Sequence, residues 1–354
     1  MAGVLKEKQM NIFADEHHVT LYKSLHLLFE NRLGHNLFRP VGVEWFDEGF
    51  WKIAEPYGNH PATIKQYLSL APEDQIYYWG TPPLNIVNKE KDGYYEVKVD
   101  GYVQKAVTLE QFKNMKFDII IATIPAHIEP YKKLIKLYQP QAKFIFQEGN
   151  CWHMDRSQAP NLLSSTKKYN TDSNALFYHQ EFDLNDFSFE SARRYNRITN
   201  LVHLFRGSPE ALTWDKYKQA LPEYEWRMHG IEGDDGVIQE CLAETIKDTT
   251  FLWHLKIEGD GFGHVIHNAF ACGRPPIVRK RYYEDKLAGE LMEDLVTCVD
   301  LDKRSFEDNI KVIKEYSQPD KYDQMSKNAY NRFKEIVDYD KEQKQIEEFL
   351  KGLV

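Results

Sequence analysis

The stretch Asp260–Pro275, DGFGHVIHNAFACGRP, carries residue types and spacings that suit a phosphorylated ligand. It follows FLWHL, an apolar run that reads as a strand, and its own apolar residues recur at helical spacing from His264 onward. Gly261 and Gly263 let the backbone turn tightly and approach a ligand with no Cβ in the way. The helix N-terminus beyond them offers free N–H groups and partial positive charge, which suits a diphosphate. His264 and Asn268 lie four apart on one helix face. Val265 with Ala269 and Ile266 with Phe270 occupy other faces and are expected to pack on a sheet, which turns His264 and Asn268 toward the ligand. A Gly-X-Gly turn before a helix is also an ordinary tight connection, so the residues around it carry the argument.

A second group lies in the N-terminal half. The polar loop Asp15, Glu16, His17, His18 follows the short apolar run NIFA, and His127 follows FDIIIA in TIPAHIEP. Both loops fall at the C-terminal ends of expected parallel strands, where open α/β sheets bind ligands. Of two adjacent histidines one must point away, and each of the three has a bland alternative as a surface or capping residue. Glu148 and Asn150, after the strand-like KFIFQ, are weaker candidates of the same kind. Cys151, Cys241, Cys272 and Cys298 are scattered with no CxxC pair and no metal-ligand spacing, the usage of a reducing compartment. There is no nucleophile elbow, no HExxH and no Walker lysine in the Gly-rich turn.

Positioning these residues takes an ordered scaffold, and 354 residues suit two domains of ~150–200 each. A composition 42% apolar and 28% charged excludes wholesale disorder. Formal charge −9 excludes a chain-wide basic field for nucleic acid. Residues 1–183 sum to −2 and 184–354 to −7, so an anionic partner is expected at the N-terminal half. Met1–Met10 carries Lys6, Glu7 and Lys8 without an apolar core and does not read as a signal peptide. With no run of ~18 apolar residues, no stable membrane insertion is expected, and the expected location is cytoplasmic.

The periodicity predicts a strand at Asn11–Ala14, a helix from Leu21 to Arg32 closed by Gly34, and an extended segment at His35–Pro40. A hairpin insertion near 80–105 turns at Gly93. Strands at Phe117–Ala122 and Lys143–Phe146 flank a helix at Tyr131–Tyr138, whose three lysines read as a solvated face. After Asp183 the strand–helix rhythm restarts, with strands at Asn200–Phe205, Glu225–His229, Thr250–Leu255 and Pro276–Arg279. Two successive βα arrays imply two Rossmann-like domains, 1–183 and 184–325, with parallel sheets facing across a cleft. Helices fill 326–354.

GDGFGHVIHNAFACGRPPIV resembles the EGFG…E-A-x-A-C-G-x-P-V segment of retaining GT-B glycosyltransferases of family four. FYHQEFDLNDFSF (Phe177–Phe189) is similar to that family's entry to the donor domain. The terminal stretch from Asp323 resembles its closing helices, the last of which crosses back to the first domain. The resemblance covers the second half almost throughout and the first half only in its βα order. It implies a metal-independent hexosyltransferase with no cofactor, moving sugar from a nucleoside-diphosphate sugar, UDP-sugar foremost, to an acceptor hydroxyl with retention. The acceptor is a glycan, a small molecule, a lipid or a modified DNA base.

Asp260 and Asn268 stand where the family has two glutamates. By resemblance Asp260 orients the donor sugar from one methylene further back, and Asn268 grips the ribose with one acceptor oxygen rather than two. Gly261, Phe262, Gly263 and His264 hold the donor together with Arg206, which fits the family's diphosphate arginine. The usual lysine is missing there, with Lys216 or Lys218 as substitutes, while Arg279-Lys280-Arg281 follows a donor-domain strand. Asp15, Glu16, His17 and His18 meet the acceptor, and His17, His18 or His127 positions its hydroxyl. Alternatives are a phage-type DNA glucosyltransferase, a same-fold phosphorylase or sugar-nucleotide epimerase, and a degenerate nucleotide-sugar binding protein.

Overall fold

The computed structural model describes residues 9–15, 19–40, 85–91, 93–99, 101–123, 125–148, 159–166, 174–202, 205–229, 241–257 and 259–353. Glu16, His17, His18, Asn150 and Cys151 lie outside them, as do parts of the expected hairpin, of the strand at Asn200–Phe205 and of the helix before Ile246. The chain forms two compact units. The first is Met1–Ser164, Asn170–Leu176 and Gln343–Val354; the second is Ser165–Tyr169 and Phe177–Glu342.

The first unit is built on a nine-stranded sheet, ordered β3-β4-β5-β2-β1-β6-β7-β8-β9. Its strands are β1 (Asn11–Ala14), β2 (Asn36–Pro40), β3 (Asn85–Lys91), β4 (Tyr94–Val99), β5 (Tyr102–Val107), β6 (Ile119–Ala122), β7 (Lys143–Gln147), β8 (Asn161–Ser164) and β9 (Asn174–Phe177). β1 runs parallel to β2 and β6, and β6 to β7. All four residues of β6 are buried, as a strand covered on both faces requires. The expected hairpin is instead a three-stranded antiparallel meander whose last strand, β5, joins β2 in parallel. It extends the main sheet rather than standing beside it. The predicted helix from Leu21 is α1 (Val19–His26) continuing as a π-helical segment, Leu27–Arg32. Gly34 at φ +68 ends it, with the His35 N–H donated to the Phe29 carbonyl.

The second unit holds a five-stranded parallel sheet ordered β11-β10-β12-β13-β14, from β10 (Arg197–Asn200), β11 (Glu225–Met228), β12 (Phe251–Trp253), β13 (Pro276–Val278) and β14 (Val299–Asp300). From β10 the chain passes through α2 (Glu210–Ala220) to β11 on one side, then crosses to β12 on the other. The strand order therefore reverses between β10 and β12, the place where open α/β sheets leave a crevice beyond their strand ends. α3 (His264–Ala271) follows β12 and ends at Gly273, whose φ of +68 and lack of a side chain admit the Phe189 ring. A Cβ there would sit 2.6 Å from that ring.

Division falls at Leu176/Phe177, upstream of the expected 183, because Phe182 and Phe187 pack in the second unit's core with Phe333, Val337 and Tyr339. The closing helices are α4 (Pro319–Ile336), which starts before 326, and α5 (Tyr339–Lys351). α5 begins in the second unit, where His179 Nδ1 meets Glu342 Oε1 at 2.5 Å. From Gln343 onward it belongs to the first.

Candidate functional site

Two loops of the second unit border the strand-order reversal: the one after β10, holding Arg206, and the one from β12 to α3, holding Asp260–Gly263. Gly263 is the N-cap of α3 at φ 79, ψ 53, a left-handed conformation that side chains resist. The N–H groups of the first helical turn have no acceptor within the helix and point out of its end. Gly261, expected to make the turn with it, does not take positive φ; Gly259 does, at +71. A Cβ on Gly259 would lie 2.5 Å from the Tyr282 carbonyl oxygen, so the loop presses on the segment after β13.

Asp260 sits at the mouth of this loop and is only partly exposed. Its Oδ2 lies 3.2 Å from His254 Nε2, and Lys256 bonds its other oxygen. Burial alone would raise the carboxyl's pKa, but Lys256 and His254 outweigh it and hold the group well below the ordinary carboxylate range. His254 in turn meets the Tyr283 hydroxyl through Nδ1 at 2.5 Å. Neither His254 nor Tyr283 was singled out from the sequence. The available signal was a histidine closing an otherwise apolar strand.

Helix α3 corrects the simple amphipathic picture. Ile266, Ala269 and Phe270 are buried as expected, but so are His267 and Asn268, while His264 is half-buried. The Phe262 ring does not face outward; it is 1% exposed and stacks on His267 at 4.0 Å. His267 donates from Nδ1 to the Gly263 carbonyl at 3.0 Å, and burial, then His179 and His264, push its pKa well down. Phe262 and His267 thus prop the turn from behind. Asn268 is 3% exposed, and its amide oxygen has no hydrogen-bond partner among the described residues. An unmet buried acceptor costs about 1–3 kcal/mol, which a ligand hydroxyl would recover.

Arg206 is exposed and lines a cavity of about 590 Å³ with Ser208, Trp214, Lys218 and Trp226. Of the two lysines considered beside it, Lys218 lines the cavity, whereas Lys216 lies 3.7 Å from the Phe306 ring. Within Arg279-Lys280-Arg281 the first two are structural. Arg279 pairs with Glu210 at 2.8 Å and Asp302 at 2.6 Å, and Lys280 donates to the Met292 carbonyl. Among the described residues no three His, Cys, Asp or Glu side chains are grouped to hold a metal ion.

In the first unit, Asp15 at the end of β1 and His127 after β6 come together. His127 Nδ1 lies 2.6 Å from Asp15 Oδ2, and the Thr123 hydroxyl donates to Oδ1. Asp15 is 3% exposed and engaged by protein groups, so it supports His127 rather than offering itself to an acceptor as expected. The parallel pairing of β1 with β6 makes this contact, across more than a hundred residues of chain. Glu148 is buried and accepts from Ser164, a placement unlike an exposed acceptor contact.

No protein-family model matches the chain, and no curated protein matches it in sequence. Solved structures are similar in fold. HepE of Anabaena, in complex with UDP-glucose, matches with TM-score 0.63 at 11% identity over 98% of this chain and 100% of that one. TarM of S. aureus, in complex with fondaparinux, α-GlcNAc-glycerol and UDP, gives 0.59 at 8% over 97% and 100%. An α-glucosyltransferase in complex with UDP and a 13-mer DNA containing an HMU base gives 0.57 at 13% over 96% and 99%. The chain has the GT-B fold of these glycosyltransferases. None of its described helices is long and apolar enough to cross a membrane.

Proposed function

We propose that the chain is a glycosyltransferase of the retaining family-four type, moving a sugar from a UDP-sugar to an acceptor hydroxyl without a metal ion. The observation that carries this reading is the left-handed Gly263 cap opening α3 at the strand-order reversal, with Asp260 before it and, one turn within, the buried Asn268 amide oxygen that has no partner among the described residues. In this reading the α3 N-terminus and Arg206, aided by Lys218, stabilise the leaving diphosphate, where negative charge develops in the transition state. Asp260 orients the donor sugar by accepting from its hydroxyls. Asn268 accepts one ribose hydroxyl through the oxygen that otherwise lacks a donor. His127, held by Asp15, positions the acceptor hydroxyl, and in a front-face reaction the departing phosphate takes its proton. The UDP and UDP-glucose complexes of similarly folded proteins support the donor class.

A second reading keeps the donor and makes the acceptor a hydroxymethylated DNA base. The fold shared with the α-glucosyltransferase bound to HMU-containing DNA favours it. The formal charge of −9 weighs against it.

A thermal-shift panel of UDP, UDP-glucose, UDP-galactose and UDP-N-acetylglucosamine, with and without EDTA, tests the proposal. Ligand at about 100-fold its Kd adds about 2.7 kcal/mol of stability. Stabilisation that survives EDTA is expected. Loss in EDTA with recovery in magnesium or manganese overturns the metal-free reading. Stabilisation by no nucleotide or nucleotide-sugar overturns the donor site itself.

A further inference from the structure

The chain of contacts Tyr283–His254–Asp260 is assembled from three separate places: the loop after β13, the end of β12, and the turn before α3. Tyr283 is 0% and His254 2% exposed, so neither ring is available to a ligand. The segment that carries Tyr283 is clamped on both sides by glycines. A Cβ on Gly259 would lie 2.5 Å from the Tyr282 carbonyl, and one on Gly289 would lie 2.1 Å from the Tyr283 carbonyl. Backbone packed that closely leaves the phenol little freedom. The spacing between the phenol and the Asp260 loop is therefore set by main chain rather than by flexible side chains.

Proton positions follow from the network. Beside the Asp260 carboxylate the His254 Nε2 carries the hydrogen; in the neutral ring Nδ1 is then an acceptor, and the Tyr283 hydroxyl donates to it. We propose that Tyr283 and His254 are positioning residues for the donor sugar: the phenol holds the His254 ring in place through Nδ1, and the imidazole fixes Oδ2 of Asp260 so that Oδ1 meets a sugar hydroxyl in one orientation. This inference rests on the reading of Asp260 as the sugar-orienting group. Lys256, which bonds Oδ1, is 42% exposed on a long flexible stem and is the partner that a ligand displaces. His254 stays.

Because Asp260 addresses the sugar and α3 the diphosphate, the readout is the ratio of UDP affinity to UDP-sugar affinity. It is measured by calorimetry with UDP and with whichever of UDP-glucose, UDP-galactose or UDP-N-acetylglucosamine the wild type binds best. His254→Phe is expected to erode the sugar's contribution about tenfold with UDP Kd unchanged, the scale of one charge-assisted hydrogen bond. His254→Gln, which keeps a donor near the Nε2 position, is expected to recover most of it. Tyr283→Phe should cost about threefold, by freeing the imidazole to turn. Lys256→Ala should leave the ratio within about twofold.

A merely structural role predicts that UDP and UDP-sugar weaken together, or that Gln is no better than Phe at position 254. Either result overturns the inference, as does an unchanged ratio in folded Tyr283→Phe and His254→Phe. Nitrogen-15 NMR of wild-type protein gives an independent check, with the His254 signal identified by its loss in His254→Gln. A hydrogen on Nδ1 rather than Nε2 of the neutral ring also overturns it. Wild-type protein that binds neither UDP nor any UDP-sugar overturns the donor-site reading and this inference with it. Normal wild-type binding with an unmoved ratio removes this inference alone.

Discussion

Two glycines flank Asp260 in left-handed backbone, and replacing each by alanine should have very different costs. At Gly263 a Cβ meets nothing nearer than the Ala288 Cβ at 3.5 Å, ordinary van der Waals contact. The penalty there is the conformation alone, about 1–2 kcal/mol for an L-residue at positive φ. Roughly 0.4–1 kcal/mol returns because alanine restricts the unfolded chain. Gly263→Ala should therefore cost about 1 kcal/mol, and Gly263→Asn less, since asparagine tolerates this region. At Gly259 the same backbone penalty applies, and the Cβ also falls 2.5 Å from a backbone oxygen, that of Tyr282, which cannot swing aside. Overpacking of this kind adds about 1–3 kcal/mol, so Gly259→Ala should cost about 3 kcal/mol.

Urea unfolding followed by near-ultraviolet circular dichroism includes a signal from the relevant unit. Trp214, Trp226 and Trp253 form one cluster there, with centroids 4.7 to 5.6 Å apart, and give a signal of their own. Midpoints should shift without a change of slope. Equal costs at the two positions, or asparagine no better than alanine at 263, would refute the reasoning.

Other outcomes follow from the remaining contacts. His127→Ala and Asp15→Asn should lower transfer while UDP Kd moves less than about threefold, because sites without shared partners act additively; full transfer by both variants ends the acceptor-side assignment. Asn268→Glu should keep or tighten UDP binding, offering two acceptors to the ribose, and a loss beyond about tenfold in calorimetry means that the amide does something a carboxylate cannot. Lys218→Ala should weaken UDP at least about threefold and Lys216→Ala should not, since exposed charge contacts are worth up to about 1 kcal/mol and only Lys218 lines the Arg206 cavity. Asp260 has its pKa lowered by folding, so its contribution to stability is complete above the unfolded-state value of about 4 and is lost as pH falls below it. Asp260→Asn should accordingly flatten the acid limb of a stability–pH profile, and an unchanged limb refutes the assignment.

Periodicity and turn chemistry made most elements legible in the sequence. The β-branched run at Ile119–Ile121, the helix from His264 and the restart of the strand–helix rhythm after Asp183 are local patterns, and local patterns are what sequence records. The Gly-rich turn before α3 was legible for the same reason, along with Asp260 and Asn268 on either side of it. Which glycine takes the positive φ was not, because Gly259 rather than Gly261 does so, against the Tyr282 carbonyl that arrives from another loop. The meander's entry into the main sheet was also hidden, since a hairpin pattern does not say which strand its outer edge will meet.

Partnerships across long stretches of chain belong wholly to the tertiary structure. Asp15 and His127 were each visible as polar residues after apolar strands, but only the parallel pairing of β1 with β6 makes them one unit. Nothing in FLWHL marks His254 for a role; only the loop after β13 brings Tyr283 to its Nδ1. The helix face turned His264 and Asn268 toward the ligand and the resemblance placed Phe262 with the donor, yet Phe262 stacks on His267 and both it and Asn268 are buried. By itself the sequence determined the order of elements and the place of the Gly-rich turn, because both depend on residues a few positions apart. Burial and partner were decided only by the fold, because each depends on atoms that the chain brings together from far along its length.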